Sequence, residues 1–159
     1  MDLTSLLAPD LVKIGLTART KAGAIAELVD FLVARGKVAS GDREAVLKAV
    51  LDREDSLSTG MEHGIALPHG SVDCVPELVG TLGISHEGIE FASLDGKPAH
   101  LLVCLVVPRS RTSRHVRTLA GIAHLLNNES LRNMLLAAKT SEEAMAIISA
   151  EEASEGFGL

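Results

Sequence analysis

The sequence predicts an α/β domain, a small sheet covered by helices, and three observations carry that prediction. Residues 20–36, "TKAGAIAELVDFLVARG", repeat apolar side chains at helical spacing. Residues 100–108, "HLLVCLVVP", are apolar on both faces, as a central strand is when covered on either side. After Pro108 the pattern returns to helix almost to the end of the chain, so helices bracket the strands.

In chain order, the first helix sets Ile25, Leu28, Val29 and Leu32 at i, i+3, i+4 and i+7. Thr20 can cap its start and Gly36 can end it. "DREAVLKAVLDRE" predicts a second helix with Val46, Ala49 and Val50 on one face, and it delivers Arg53 at its end. "GIAL", 64–67, fits a short buried strand, and "ELVGTLGIS", 77–85, a longer one. "GIEFASLDGKPA" then carries turn chemistry at Asp95-Gly96 and predicts a short strand or hairpin. Downstream, Val116, Leu119, Ala120 and Ala123 form one helical stripe, and Leu131, Met134, Leu135 and Ala138 another. "TSEE", 140–143, is a capping box for a last helix that packs Ala144, Ile147 and Ile148. The acidic, glycine-bearing tail over 151–159 is expected to fray. Neither an internal repeat nor a linker divides the chain, which reads as a single domain.

Composition narrows the function. A chain of 159 residues can bury a core without metals or disulfides. With three Phe and neither Trp nor Tyr, that core must be built from Leu, Ile, Val and Ala. The net charge of −6 argues against broad nucleic-acid binding, which needs a basic face to displace phosphate counterions. Cys74 and Cys104 cannot make a disulfide framework, and Cys104 reads as a small buried hydrophobe suited to a reducing compartment. "MDLTSLLAPDLV" lacks the basic start of a signal peptide, and the run Leu101–Val107 is too short to cross a bilayer. The expectation is a cytoplasmic protein without membrane insertion.

The chemistry centres on "STGMEHGIALPHG", residues 58–70. Pro68 fixes its own φ and holds Leu67 extended, so the backbone entering His69 is constrained, and Gly70 lets another backbone come close. Taken alone, Pro-His-Gly is more often an ordinary turn. Its surroundings change that: Ser58, Thr59, Gly60 and Gly64 offer hydroxyls and open N–H groups, the materials of an anion cradle. No GxxxxGK[ST] sequence is present, so this is not a nucleotide P-loop. A neutral imidazole is a competent nucleophile near pH 7, because histidines ordinarily titrate at about 6.5. Beside such a cradle it could attack a phosphoryl group and hold it as phosphohistidine.

A second histidine, His115, lies near a predicted helix N-terminus, where unpaired N–H groups favour anions, with Arg109, Arg111, Arg114 and Arg117 around it. His124 follows nine residues later and so falls on the opposite side of that helix. His63, His86, His100 and His124 read as ordinary surface or edge histidines. Arg53 could add a fixed positive charge, binding phosphate through its planar fork. None of the standard metal spacings such as HExxH occurs, and neither a metal nor a cofactor is expected.

"REDSLSTGMEHGIALPHG" closely resembles the active-site stretch of the fructose/mannitol-type IIA domains of the bacterial phosphotransferase system (PTS). "VVPRSRTSRHVRTLAGIAHLL" resembles the segment bearing that family's second active-site histidine, and the likeness runs over residues 3–150. The resemblance implies a mixed sheet flanked by helices. It implies that His69 accepts a phosphoryl group from an HPr-like carrier and passes it to a IIB partner, with His115 and Arg53 in support and Ser58 and Thr59 as lesser contributors. With no IIB, HPr-like or membrane segment in its sequence, the chain most resembles the nitrogen-regulatory branch (the PtsN type), whose members bind target proteins according to phosphorylation state. Two alternatives stand beside it: a IIA component of fructose- or mannitol-type uptake, and a IIA-like binding regulator that works without phosphorylation. Met61 and Glu62 depart from the family's aliphatic residue and glycine, and a carboxylate beside a phosphoryl site would repel it.

Overall fold

Helical and extended stretches alternate along the chain, and the computed structural model, which describes residues 2–155 apart from the side chains of residues 112–114, shows how they assemble. The order is α1 (Leu3–Leu7), β1 (Val12–Ile14), α2 (Lys21–Ala34), α3 (Arg43–Ser56), β2 (Ile65–Ala66) and β3 (His69–Val72). Then come β4 (Val79–Ile89), β5 (Ala99–Pro108), α4 (Thr112–Leu126), α5 (Glu129–Ala137) and α6 (Ser141–Glu155). Five strands of the described residues form one mixed sheet. β1 runs parallel to β4, β4 antiparallel to β5, and β2 and β3 both run parallel to β5 along the far edge.

β2 and β3 are two pieces of one edge strand, Ile65 pairing with Leu101 and His69 with Leu105. Pro68 separates them because it has no N–H to donate to a ladder, a residue tolerated only at such an edge. Its carbonyl still accepts the N–H of Leu105 at 3.0 Å. "GIEFASLDGKPA" completes β4 and forms the turn of the β4–β5 hairpin, with Gly96 N–H bonded to the Ser93 carbonyl.

The two faces are covered by different helices. Gly83 of β4 faces Leu28 of α2, and Gly70 of β3 faces the backbone of α3. Gly80, at the opposite pleat, faces Leu6 of α1, and contacts run on from α1 to α6, α5 and α4 on that side. The aliphatic core predicted from composition fills both layers, with Cys104 fully buried among Leu102, Val103, Leu105 and Val106. Burial pushes the Cys104 thiol up to about 12. No helix of the described residues is long and apolar enough to cross a membrane.

α2 forms as its pattern predicts: Ile25, Leu28, Val29 and Leu32 are all buried, and the Thr20 hydroxyl accepts the N–H of Gly23. Gly36, at φ +74°, closes it with bonds from Gly36 to Val33 and from Lys37 to Leu32, the paired C-terminal closure that needs a left-handed residue. α4 differs from its predicted stripe. Val116 is 60% exposed and Ala120 is exposed, while Ile122, Leu125 and Leu126 are buried with Leu119 packed against them. In α5, Leu131, Leu135 and Ala138 are buried, but Met134 is 51% exposed. The tail expected to fray is helical as far as Glu155. Buried Glu152 accepts the N–H groups of Leu3 at 2.6 Å and Thr4 at 3.0 Å, together with the Thr4 hydroxyl, and so caps α1. Residues 156–159 lie outside the described residues.

Candidate functional site

His69 is the first residue of β3. Gly70 points at α3, where a Cβ would lie 2.8 Å from the Ala49 carbonyl carbon and the Val50 nitrogen, so only glycine lets the helix approach this closely. Side chains alternate along a strand, so His69 belongs to the opposite face, the one shared by its register partner Leu105. The imidazole is half-buried, and its Nδ1 lies 2.8 Å from the Leu67 carbonyl oxygen. A carbonyl can only accept, so Nδ1 carries the proton and Nε2 carries the lone pair.

His115 lies on the buried side of α4, four and seven residues before Leu119 and Ile122, and both its ring nitrogens are shielded from solvent. Its height follows from register. From Ile65 to His69 the edge advances four residues, about 13 Å. α4 runs back along β5, and Ala123, His124 and Asn127 border the same hollow as Ile65. At a rise of 1.5 Å per residue, about 13 Å is nine helical residues, so the first turns of α4, His115 among them, lie towards the His69 end of the edge. His124 is exposed on the far side, as its spacing predicts.

Arg53 belongs to α3, the helix that covers the opposite, Gly70 face of β3. It sits in the last turn of α3, and its Nη1 donates to the Leu57 carbonyl at 2.7 Å. That bond uses one of the guanidinium's five N–H donors. Arg109 donates to Asp73 at 2.6 Å and to the Ser71 carbonyl at 3.3 Å, tying the end of β3 to the end of β5. Arg111 and Arg117 are exposed; the side chain of Arg114 lies outside the described residues.

The segment expected to be an open cradle is bonded to the protein itself. The Ser58 hydroxyl donates to the Phe91 carbonyl at 2.6 Å, and the Thr59 hydroxyl to Glu54 at 2.6 Å. The N–H groups of Thr59, Gly60, Met61 and His63 are held by Glu54, Ser58, Ile65 and Asp95. Ser58 and Thr59 therefore brace the loop in this arrangement.

Glu54 is the residue that sequence reasoning missed. Its carboxylate is buried, yet accepts the Thr59 N–H at 2.8 Å, the Thr59 hydroxyl and the Lys21 ammonium at 3.1 Å. Burial alone would raise its pKa; the Thr59 hydroxyl and N–H, with Lys21, outweigh that and leave it below the ordinary carboxylate value. No local pattern announces it, because Lys21 and Thr59 meet it only in the fold. Glu62, the departure from the family pattern, is exposed and lies with His63 and Ile65 around the hollow by Ala123. Ile65, which borders that hollow, is four residues, about 13 Å, along the edge strand from His69. His86 and His100 rings bond the carbonyls of Leu136 and Ser85. The described residues contain no group of three or more metal-ligating side chains.

Residues 5–151 match the family described as "Phosphoenolpyruvate-dependent sugar phosphotransferase system, EIIA 2". The chain is 34% identical over 93% of its length to the fructose-specific EIIABC component of Bacillus subtilis, of which it spans 23%. It is 33% identical to the fructose-specific EIIA component of Haloferax volcanii, covering 92% of this chain and 94% of that one. The nitrogen regulatory protein of Escherichia coli is 32% identical, covering 96% and 92% respectively. Among solved structures, the nitrogen regulatory protein IIA-Ntr of Neisseria meningitidis superposes with a TM-score of 0.80 at 26% identity, covering 91% of this chain and 97% of that one. The five-stranded mixed sheet and the sequence are thus shared along almost the whole chain, and the chain belongs to the EIIA type-2 family of the phosphotransferase system.

Proposed function

We propose that this protein is a phosphocarrier that takes a phosphoryl group onto Nε2 of His69 from an HPr-like protein and passes it on. The observation that carries the reading is the 2.8 Å bond between Nδ1 and the Leu67 carbonyl, which leaves Nε2 with its lone pair. In the transfer, the Nε2 lone pair forms the N–P bond as the bond from phosphorus to the donor breaks, and that electron pair stays with the donor. Positive charge then spreads over the imidazole, and the Nδ1–H bond to Leu67 strengthens. Arg53 and His115 act on the equatorial oxygens, each charge-assisted hydrogen bond contributing about 1.5–3 kcal/mol.

Incubation with phosphoenolpyruvate, enzyme I and an HPr-like carrier, followed by mass spectrometry, should show gain of one acid-labile phosphate. His69→Ala should abolish the gain while keeping the fold; a phosphate that persists in that variant overturns the assignment.

Two acceptors stand on observations. The structural likeness to IIA-Ntr supports a regulatory target bound according to phosphorylation state. The fructose-named relatives support a IIB domain. Offering the phosphorylated protein to a fructose-type IIB separates them: prompt loss of the phosphate supports uptake, and retention supports regulation.

A further inference from the structure

We infer that Glu54 is a positioning residue for His69: its buried carboxylate holds the Ser58–Gly60 loop, the loop holds Leu67, and the Leu67 carbonyl holds the imidazole. Each step is a hydrogen bond. Glu54 Oε2 takes the N–H of Thr59 at 2.8 Å and Oε1 takes its hydroxyl at 2.6 Å, so both ends of the carboxylate grip one residue. The Thr59 carbonyl accepts the N–H of Leu67 at 3.2 Å, beside an antiparallel bridge between Gly60 and Ala66 and a 2.8 Å bond from Met61 to Ile65. The loop is thus a short extra strand on the free edge of β2. Pro68 restricts Leu67 to extended backbone, which couples the direction of its carbonyl to the bond at its N–H. The carbonyl then receives Nδ1 of His69.

The carboxylate suits this task better than a neutral acceptor. It presents only acceptors, and three donors converge on it. Its charge is balanced within the same cluster by Lys21, whose ammonium lies 3.1 Å from Oε2, 3.4 Å from the Ser58 hydroxyl and 5.0 Å from the centre of the Phe91 ring. Arg53 and Glu54 are consecutive, and together they hold the loop at both ends, one at the Leu57 carbonyl and the other at Thr59. The last turn of α3 therefore supplies the site with a cation and with the anchor that fixes the ring's tautomer.

The rate arm of the test rests on the phosphocarrier reading; the tautomer arm does not. Nitrogen-15 NMR of the His69 ring and single-turnover transfer from a phosphorylated HPr-like carrier should be measured for the wild type, Glu54→Gln, Thr59→Val and Glu54→Ala. The wild type should show the Nδ1–H tautomer. Glu54→Ala should give mixed tautomers and a maximal transfer rate lowered about 10–100-fold, with donor affinity little changed because Glu54 is buried away from the donor. Glu54→Gln and Thr59→Val each keep part of the grip and should fall between, and they decide the matter should the Ala variant fail to fold. Folded variants that lose thermal stability but keep the wild-type tautomer and rate would overturn the inference. A wild type that the carrier cannot phosphorylate, with a tautomer that still follows Glu54, would overturn the phosphocarrier reading and leave the positioning role intact.

Discussion

Gly70→Ala perturbs a single contact and reports on two properties at once. The added Cβ would meet the Ala49 carbonyl carbon and Val50 nitrogen at 2.8 Å and the Ala49 oxygen at 3.0 Å. These are backbone atoms in the middle of α3, so no rotamer change relieves the clash. Restoring ordinary contact at 3.4 Å requires the helix to retreat by about 0.6 Å from the sheet. Overpacking of this kind costs about 1–3 kcal/mol. At about 2 kcal/mol, the melting temperature of a domain this size should fall by about 4–8 °C. α3 also carries Arg53 one turn further on, so the same retreat shifts the guanidinium relative to the proposed phosphoryl position on His69. Losing about half of one charge-assisted hydrogen bond, about 0.75–1.5 kcal/mol, should slow phosphoryl transfer about 4–13-fold. Gly83→Ala is the matched control. The three atoms nearest its Cβ would be side-chain tips of Leu28 and Leu16, which can swing aside, and α2 carries none of the proposed site residues. Thermal unfolding by circular dichroism and single-turnover phosphorylation by an HPr-like carrier would be run on both variants. An unchanged melting temperature in Gly70→Ala would refute the close approach of α3 to β3. A transfer rate no lower than that of Gly83→Ala would refute the link from that approach to Arg53.

The remaining predictions concern the core. A thiol reagent should label Cys74, which is exposed, and spare Cys104, whose thiol is fully buried and pushed up to about 12, until denaturant releases it. Mass spectrometry of the labelled native protein checks this, and prompt modification of Cys104 would contradict its place in β5. Val116→Ser should change stability by no more than about 0.5 kcal/mol, whereas Ile122→Ala should cost about 2–5 kcal/mol. Urea unfolding compares the two, and a larger loss at Val116 would mean that α4 turns its other stripe to the sheet.

What the sequence makes legible depends on how local the deciding interaction is. α2 reads correctly because its apolar period, its Thr20 cap and its Gly36 stop all lie within seventeen residues and agree. α4 keeps Leu119 and Ala123 of its predicted stripe against the core but replaces Val116 and Ala120 by Ile122, Leu125 and Leu126, a rotation that periodicity cannot settle and the sheet does. "HGSV" is too short and polar to announce β3, whose ladder exists only because β5 presents an edge to it. The same limit governs the site. Pro68 and Gly70 single out His69 as a candidate locally, and a local helix start does the same for His115. The hydroxyls of Ser58 and Thr59 suit an anion on local grounds, whereas the acceptors they meet here, Phe91 and Glu54, are set by the fold.

These placements bear on what a carrier needs, which is to hold a phosphoryl group securely and still give it up. A histidine steered by a neighbouring carboxylate would bring a negative charge to within hydrogen-bond distance of the ring that must accept an anion. Here the ring is steered by the neutral Leu67 carbonyl, and the carboxylate that fixes this carbonyl is set back behind Thr59 and balanced by Lys21. Orientation is thereby separated from charge. The edge position of β3 completes the arrangement: the strand is paired on one side only, so the ring is rigid yet half-exposed, and a donor and an acceptor can use the same approach in turn. Burying His69 on a central strand would keep the rigidity and lose the access, and placing it on an unbraced loop would do the reverse.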